Sequence, residues 1–298
     1  MTPDEQNAVD ELDERYRAVS FGPNDFMPDL LYHYTSAGGF FGIVSEGVLR
    51  ATNFSYLNDS TEIQYGRRIA HRVIKEHLRS ARNPTHKEAL TRAEKSLEDI
   101  SMGLEFYMAC FCTKSDLLSQ WRAYGQVKGR FCIGFDTNIL PAMDLNYALS
   151  RMIYQDDEQQ RKVEKAVRIA IESLDVGSSP DFLDRVHELF IHKVTNELCF
   201  FKDKGFKEED EWRIVHPSEP IDKIDFDTSS GIIKPFVELW ASSRERNSEF
   251  RLPIAEVVIG PSLFSSLSKK SAELLLTRYG YCDVEINESC VPFRDLSI

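Results

Sequence analysis

The stretch LLYHYTSAGGFFGIVSEGVLRAT at residues 30–52 decides the fold class, because it predicts a strand, a helix and a second strand in close succession. Its first five residues have strand composition, and Ser36 then stands where a helix N-cap is expected. The apolar residues within 40–44 would form the buried face of this helix. Gly47 predicts its end, since glycine adopts the left-handed conformation that closes many helices.

Beyond this stretch, helices and strands do not alternate regularly, which disfavours a doubly wound parallel sheet. The pattern predicts helices at residues 3–19, 61–81, 86–100, 157–175, 181–201 and 263–279. It predicts strands at residues 105–113, 130–135, 148–154, 211–215, 232–237, 255–259 and 282–286. We therefore expect residues 30–298 to form a single α+β domain with helical insertions at about 61–100 and 157–201, preceded by an acidic helix and lead-in at 1–29.

The composition favours a globular protein, with 42% hydrophobic and 11% aromatic residues in a chain of 298. The longest apolar runs, at residues 106–112 and 254–259, are strand-sized and far shorter than a membrane span. Residues 2–16 are rich in Asp and Glu and lack the apolar stretch of a signal peptide. We therefore expect a cytoplasmic protein that does not associate with membranes.

The formal net charge of −12 argues against binding of nucleic acid by the whole surface. One local exception is a set of five basic residues at helical spacing. This basic stripe consists of Arg68, Arg72, Lys75, Arg79 and Arg82. It is typical of a solvated helix face, or of a ridge that faces phosphate or a partner.

Several common chemistries have no motif in this chain. It contains no Walker A loop, no G-x-G-x-x-G turn and no G-x-S-x-G nucleophile elbow. His187 and His192 are five residues apart, which separates them by about 140° on a helix, so they cannot hold one metal from one face. The six cysteines include no C-x-x-C pair. We therefore predict no metal and interpret Cys110 and Cys112 as buried thiols.

Two sequence boxes near the N-terminus contain candidate ligand-binding residues. In LYHYTS at residues 31–36, His33 would project near a strand end, where ligand-facing polar groups are common, although a lone histidine is more often a satisfied core residue. In FSYLNDSTE at residues 54–62, turn and N-cap chemistry explains the polar residues from 58 onwards. It does not explain Tyr56.

Two later boxes contain an arginine and a pair of carboxylates. In LSQWRAYG at residues 118–125, the aromatic neighbours of Arg122 offer stacking planes around a cation that binds phosphate or carboxylate, or that pairs with an internal acid. Glu209, Glu211 and Arg213 would share one face of an extended chain, where mutual repulsion between the two glutamates would raise the pKa of one carboxyl group. An exposed acidic edge is the alternative.

The boxes LYHYT, YLND, WRAYG and EDEWR occur here in the order found in a bacterial family catalogued as a domain of unknown function, which the chain resembles from about residue 30 to 295. A strand with His and Thr, a helix and a Gly-x-Leu strand are more distantly similar to ADP-ribosyltransferase-type folds. That resemblance implies a split, mixed β-sheet.

The same resemblance implies that NAD is the substrate. His33, Tyr34, Thr35, Tyr56 and Arg122 would contact NAD, while Glu211 would stabilise the oxocarbenium-like transition state and Glu209 would orient or deprotonate the acceptor. The implied function is an ADP-ribosyltransferase or NAD glycohydrolase, as a toxin-like or phage-defence effector, and it requires His33, Tyr56 and Glu211 to line one cleft. The alternatives are a non-catalytic nucleotide or nucleic-acid sensor that uses the basic stripe and Arg122, and a metal-independent nuclease.

Overall fold

A computed structural model describes residues 1–20, 27–57, 62–99, 106–124, 129–139, 148–216, 220–228, 231–239 and 251–292. The helices are α1 Pro3–Ser20, α2 Ala37–Glu46, α3 Glu62–Ser80, α4 Pro84–Asp99, α5 Leu118–Tyr124, α6 Asp156–Ser173, α7 Pro180–Leu198 and α8 Ser265–Arg278. The strands are β1 Leu30–Ser36, β2 Leu49–Asn53, β3 Tyr107–Cys112, β4 Arg130–Asp136, β5 Ala148–Arg151, β6 Glu211–His216, β7 Asp225–Asp227, β8 Lys234–Leu239, β9 Ile254–Ile259 and β10 Glu285–Glu288.

The chain divides into two compact units, each built from three separate segments. The helical unit comprises residues 1–25, 57–105 and 152–207, which are the N-terminal helix and the two predicted helical insertions. The sheet unit comprises residues 26–56, 106–151 and 208–298. That both units fold together as one domain stays a prediction.

The helical unit has a core of its own, formed by α1, α3, α4, α6 and α7. On α3, Ile69, Ala70, Val73 and Ile74 are buried at the one-turn spacing of an amphipathic helix. Gly66 lies on the same helix, where a β-carbon would stand 3.3 Å from the Leu198 side chain, so the absence of a side chain permits close packing against α7. The basic residues Arg68, Arg72, Lys75 and Arg79 of α3 are exposed, away from this core.

The sheet unit contains one mixed sheet, which confirms the predicted combination of helices with a mixed sheet. The strand order is β10-β9-β4-β1-β3-β2-β8-β7, and β6 pairs with β3 and β5. The β9–β10 pair is parallel and the other pairs are antiparallel.

The centre of this sheet is β3, whose two edges are paired differently. Along one edge, all six residues of β3 pair with β6. Along the other edge, Tyr107 and Met108 pair with β2, whereas Cys112 pairs with Tyr32 of β1. The neighbouring strands β1 and β2 therefore diverge from each other along β3.

Side chains alternate between the two faces of this sheet. The core face holds the large apolar cluster, which includes Leu31 of β1, Phe111 of β3 and Trp212 of β6. The opposite face, which we call the Tyr34 face, holds a smaller cluster that includes Tyr34, Cys112 and Trp121. Which of these two faces a residue occupies decides whether the predicted site residues can meet.

The caps of α2 agree with the sequence. Ser36 accepts a hydrogen bond from the Gly39 backbone N–H at 3.2 Å, as expected of an N-cap. Gly47 has φ 69°, and its N–H donates to the Ile43 carbonyl at 3.1 Å. Among the helices of the described residues, none is both long and apolar enough to cross a membrane.

Several elements of the sheet unit differ from the prediction. The seven-residue helix α5 and the three-residue strand β7 were not predicted. Strand β5 ends three residues earlier than expected, at Arg151, and the last strand begins three residues later than expected, at Glu285. Local pattern does not reveal α5, because Trp121, which is 1% exposed, is the only buried apolar side chain among its described residues. A helix this short depends on tertiary packing rather than on its own propensity.

Candidate functional site

His33 lies on the core face of the sheet, where β1 and β3 diverge. Its Nδ1 is 2.9 Å from the Cys110 carbonyl oxygen, and its ring centroid is 5.8 Å from that of Phe111. A carbonyl oxygen can only accept, so Nδ1 has the proton. Burial lowers the pKa of His33 below 6.5, against the opposing effect of this hydrogen bond. The imidazole is therefore a neutral group that donates a hydrogen bond to the Cys110 carbonyl where β1 and β3 diverge.

Tyr34 lies on the other face and positions the turn after β3. Its hydroxyl donates to the Lys114 carbonyl at 2.8 Å and accepts from the Leu117 N–H at 2.9 Å. The ring packs edge-on against Trp121 with centroids 4.6 Å apart. The Thr35 side chain lies against α2. The Thr35 hydroxyl oxygen occupies the space that a β-carbon at Gly39 would need. Both side chains have structural contacts in this arrangement.

Arg122 and its neighbour Trp121 point to different environments. Trp121 is buried, and its Nε1 donates to Asp116 at 2.7 Å, so the indole is not a stacking plane for Arg122. Arg122 is exposed on the surface of α5. The buried arginine that organises this region is Arg130, and a phosphate-binding role of Arg122 stays a prediction. Arg130 is 5% exposed and donates to the carbonyls of Trp121 and Pro261 at 2.9 and 3.3 Å.

Glu211 begins β6 and forms a buried ion pair with Arg213. The Arg213 Nε and Nη2 atoms donate to Glu211 Oε1 at 3.0 and 2.7 Å, and both residues are at most 5% exposed. A buried pair of this kind depends on both partners, since loss of either leaves an uncompensated charge. The predicted shared face of Glu211 and Arg213 is thereby confirmed.

Glu209 lies outside the strand that contains Glu211. It ends a 3-10 helix, Lys204–Glu209, and the next residue, Asp210, has φ 43°. The Asp210 carboxylate accepts a hydrogen bond from the Thr113 hydroxyl. This left-handed residue interrupts the extended backbone before β6 begins, so the predicted extended chain through both glutamates is wrong.

Tyr56 and Glu211 lie near opposite ends of β3. Asn53, three residues before Tyr56, pairs with Tyr107 at the start of β3, whereas Glu211 pairs with Cys112 at its end. Six strand residues span about 17 Å. Tyr56 itself is 37% exposed in a short 3-10 turn.

The expectation that His33, Tyr56 and Glu211 line one cleft is therefore wrong. Glu211 pairs with Cys112 and lies on the Tyr34 face, whereas His33 lies on the core face. Three of the boxes do approach one another in the sheet unit. Tyr34 of the first box contacts Trp121 of the third. Tyr32 of the first box and Glu211 of the fourth pair with the same residue, Cys112, from its two sides. Residues 58–61 of the second box lie outside the described residues.

Sequence reasoning missed a polar row on the Tyr34 face. Tyr32 stands opposite Cys112 on one side and Gly134 on the other, and Gly134 stands opposite Glu256. The Tyr32 hydroxyl extends over Gly134 and donates to Glu256 at 2.7 Å. Burial, followed by the hydrogen bond to Glu256, raises the pKa of Tyr32. One signal in the sequence could have indicated this row: Glu256 is the only charged residue in the apolar strand at 254–259.

The helical unit contains a basic groove formed by α3 and α4, with a volume of about 430 Å³. Four members of the basic stripe line it, together with further residues of both helices. The lining residues are Arg67, Arg68, His71, Arg72, Lys75, Glu76, Arg79, Leu97 and Glu98. The stripe is thus an exposed surface, and it borders a concave space rather than a flat helix face.

The two long sides of this groove differ electrostatically. Toward α4, Lys75 lies 3.4 Å from Glu94, His71 lies 3.2 Å from the same carboxylate, and Arg67 donates to the Glu98 carbonyl at 3.1 Å. On the other side, no carboxylate of the described residues lies within ion-pair distance of Arg72 or Arg79. Five permanent cations and two carboxylates line the groove, so its charge is positive in a chain of net charge −12.

No set of three or more His, Cys, Asp or Glu side chains among the described residues is arranged to hold a metal ion. No curated protein and no solved structure matches the chain. A family model does match residues 120–214, a range that includes Arg122, Glu209 and Glu211 but not His33 or Tyr56. Over those residues the chain is similar to a family described as a protein of unknown function (DUF2971), which confirms the resemblance to a domain-of-unknown-function family.

Proposed function

We propose that this protein binds a phosphate-bearing ligand, a nucleotide or a nucleic acid, in the α3–α4 groove. The observation that supports this function best is the concentration of Arg68, Arg72, Lys75 and Arg79 around one concave space of ligand size. Arginine suits phosphate, because its planar fork donates two parallel hydrogen bonds to neighbouring oxygens. The strongly acidic remainder of the chain confines anion binding to this location.

Like charges on one helix destabilise it unless a compensating interaction is present. Arg68 and Arg72 are one turn apart, and so are Lys75 and Arg79. The carboxylates of α4 neutralise only the side of the groove nearest to them, at Lys75 and His71. A bound phosphate would remove the remaining repulsion, and this supports a binding role for the groove.

The experiment is a titration of the protein with fluorescent oligonucleotides and nucleotides, followed by anisotropy. The variant with Arg72→Glu and Arg79→Glu changes the groove. A matched control has Lys87→Glu and Lys95→Glu, two exposed cations of α4 that do not line the groove and that change the net charge equally. We expect the groove variant to lose binding and the control variant to retain it. Equal losses in both would refute a localised site.

A second candidate function is the consumption of NAD in the sheet unit, as an ADP-ribosyltransferase or NAD glycohydrolase. The specific observation that supports it is the divergence of β1 and β2 along β3, because the resemblance implies a split sheet. In this proposal Glu211 is the carboxylate that stabilises positive charge at the ribose, held in position by Arg213. The separation of His33 from Glu211 makes this function less well supported than phosphate binding.

The test of this candidate is the release of nicotinamide from NAD, with and without protein and nucleic-acid acceptors. Glu211→Gln keeps the shape of the side chain and removes its charge, so turnover should fall by about 10² to 10³. Glu208→Gln, at an exposed position nearby, is the control. Turnover that persists in a folded Glu211→Gln variant would exclude Glu211 as the catalytic carboxylate.

A further inference from the structure

We infer that the ligand of the α3–α4 groove is the backbone of a single-stranded nucleic acid, held through successive phosphates without recognition of its bases. This inference rests on the proposed phosphate-binding function and specifies its ligand. The supporting observations are the two rows of cations on α3, their spacing along the helix, and the chemical character of the groove lining.

The inner row of α3 consists of Arg67, His71 and Lys75, at intervals of four residues. Its side chains are held by α4 through Glu94, Glu98 and a backbone carbonyl. These contacts fix the wall of the groove. The inner row therefore supplies shape, and Glu94 offsets part of the charge of Lys75.

The outer row consists of Arg68, Arg72 and Arg79, and all three side chains are exposed. Arg68 lies over the ring of Tyr65, with its guanidinium carbon 6.0 Å from the ring centroid. For Arg72 and Arg79, the described residues include no ion-pair partner. The outer row is thus where the net positive charge is available to a ligand.

The spacing of the outer row fits an extended anion rather than a single phosphate cluster. Arg68 and Arg79 are eleven residues apart, which corresponds to about 16 Å along a helix axis. Lys75 fills the interval between Arg72 and Arg79, so a cation occurs at each successive turn, about 5.4 Å apart. A mononucleotide can reach only part of this length, whereas a strand with several phosphates can contact all of it.

The lining offers little to a base. The described residues that line the groove include no Phe, Tyr or Trp, and Leu97 is their only apolar member. The ring of His71, which also lines the groove, is held against Glu94 and Glu98. Proteins that hold bases of single strands stack them on aromatic rings. Tyr65, the nearest aromatic residue to the outer row, uses its hydroxyl to contact Asp156 and Gln159. The contacts therefore favour phosphate over base, and binding should be independent of sequence.

The dimensions favour a single strand over a duplex. A cavity of about 430 Å³ is in the range of small-molecule pockets and holds a short section of one strand. A double helix would have to remain outside this space and would contact only its rim.

The test is a comparison of ligands by anisotropy, with the full chain and both charge-reversal variants. The ligands are adenosine and uridine homopolymers from dinucleotide to dodecamer, a duplex, ATP, NAD and inorganic polyphosphate. We expect affinity to rise with length and then to level off, with adenosine and uridine oligomers bound equally. Arg72→Glu with Arg79→Glu should weaken binding by about 100-fold, and Lys87→Glu with Lys95→Glu should leave it nearly unchanged.

Four outcomes would overturn this inference while leaving phosphate binding intact: equal affinity for ATP and a long oligomer, a strong preference for one base, tighter binding of the duplex, or tighter binding of polyphosphate. A failure of every phosphate ligand to bind would instead refute the proposed function itself. Circular dichroism of the variants separates a loss of binding from a loss of folding.

Discussion

At the scale of single residues, two arginines near Trp121 differ in what they stabilise. Arg130 is buried and satisfies two backbone carbonyls, whereas Arg122 is exposed on α5. We expect Arg130→Leu to lower the free energy of unfolding by about 3 kcal/mol, because both carbonyls lose a charged donor. Arg122→Leu should lower it by less than about 1 kcal/mol. Urea denaturation of both variants measures the difference, and equal losses would contradict the assignment of Arg130 as the internal organiser.

Cys112 predicts a pH dependence of stability. Burial, followed by the nearby carboxylates of Asp210, Glu211 and Glu209, raises the pKa of its thiol from 9.0 to about 12. The folded protein thus retains a proton that the unfolded chain releases, so stability is greatest below pH 9.0 and falls as the pH rises towards 12. The titration of one thiol lowers the free energy of unfolding by at most about 1.4 kcal/mol for each pH unit.

The measurement is the free energy of unfolding across this alkaline range. The exposed Cys282 provides the control substitution. Cys112→Ala should make the decline with pH shallower, whereas Cys282→Ala should leave its slope unchanged. An identical slope in wild type and Cys112→Ala would show that the thiol does not titrate as its surroundings imply.

At the scale of elements, two glycines of the α2 region should respond to alanine with opposite signs. Gly47 has φ 69° with nothing within 4 Å of an added β-carbon, so Gly47→Ala costs only backbone strain, about 1 kcal/mol. Gly42 lies within the helix, where an added β-carbon would meet nothing closer than 3.9 Å. Gly42→Ala should therefore stabilise the protein by about 0.5 to 1 kcal/mol. Thermal melting of the two variants tests the signs, and a loss at Gly42 would contradict the open space described there.

Elements with a long, regular pattern could be predicted, and elements defined by one contact could not. The periodicity of α3 gave its existence and its exposed basic stripe. By contrast, α5 depends on the burial of Trp121. The start of β6 could not be predicted either. The sequence EDEWR is compatible with a continuous strand, but the positive φ of Asp210 separates Glu209 from β6.

At the scale of the whole molecule, the charge distribution predicts how binding depends on salt. The chain has 36 basic and 48 acidic residues, so counterion release is confined to the groove. With three or four phosphates contacted, the logarithm of affinity should fall with the logarithm of salt concentration at a slope of about −2 to −3. The Arg72→Glu, Arg79→Glu variant should have a slope smaller by at least about 1.4. A slope that is steep and insensitive to these substitutions would place the contacts elsewhere.

The sequence by itself determined most of what depends on neighbours along the chain. These features are the helix and strand order around residues 30–52, the caps at Ser36 and Gly47, the basic stripe, and the common face of Glu211 and Arg213. Only the tertiary structure decided which faces meet. Alternation along β1 and β6 is local, but whether His33 and Glu211 share a face depends on the pairing of both strands with β3. Strand register is set by long-range packing, and a shift of one residue exchanges the two faces.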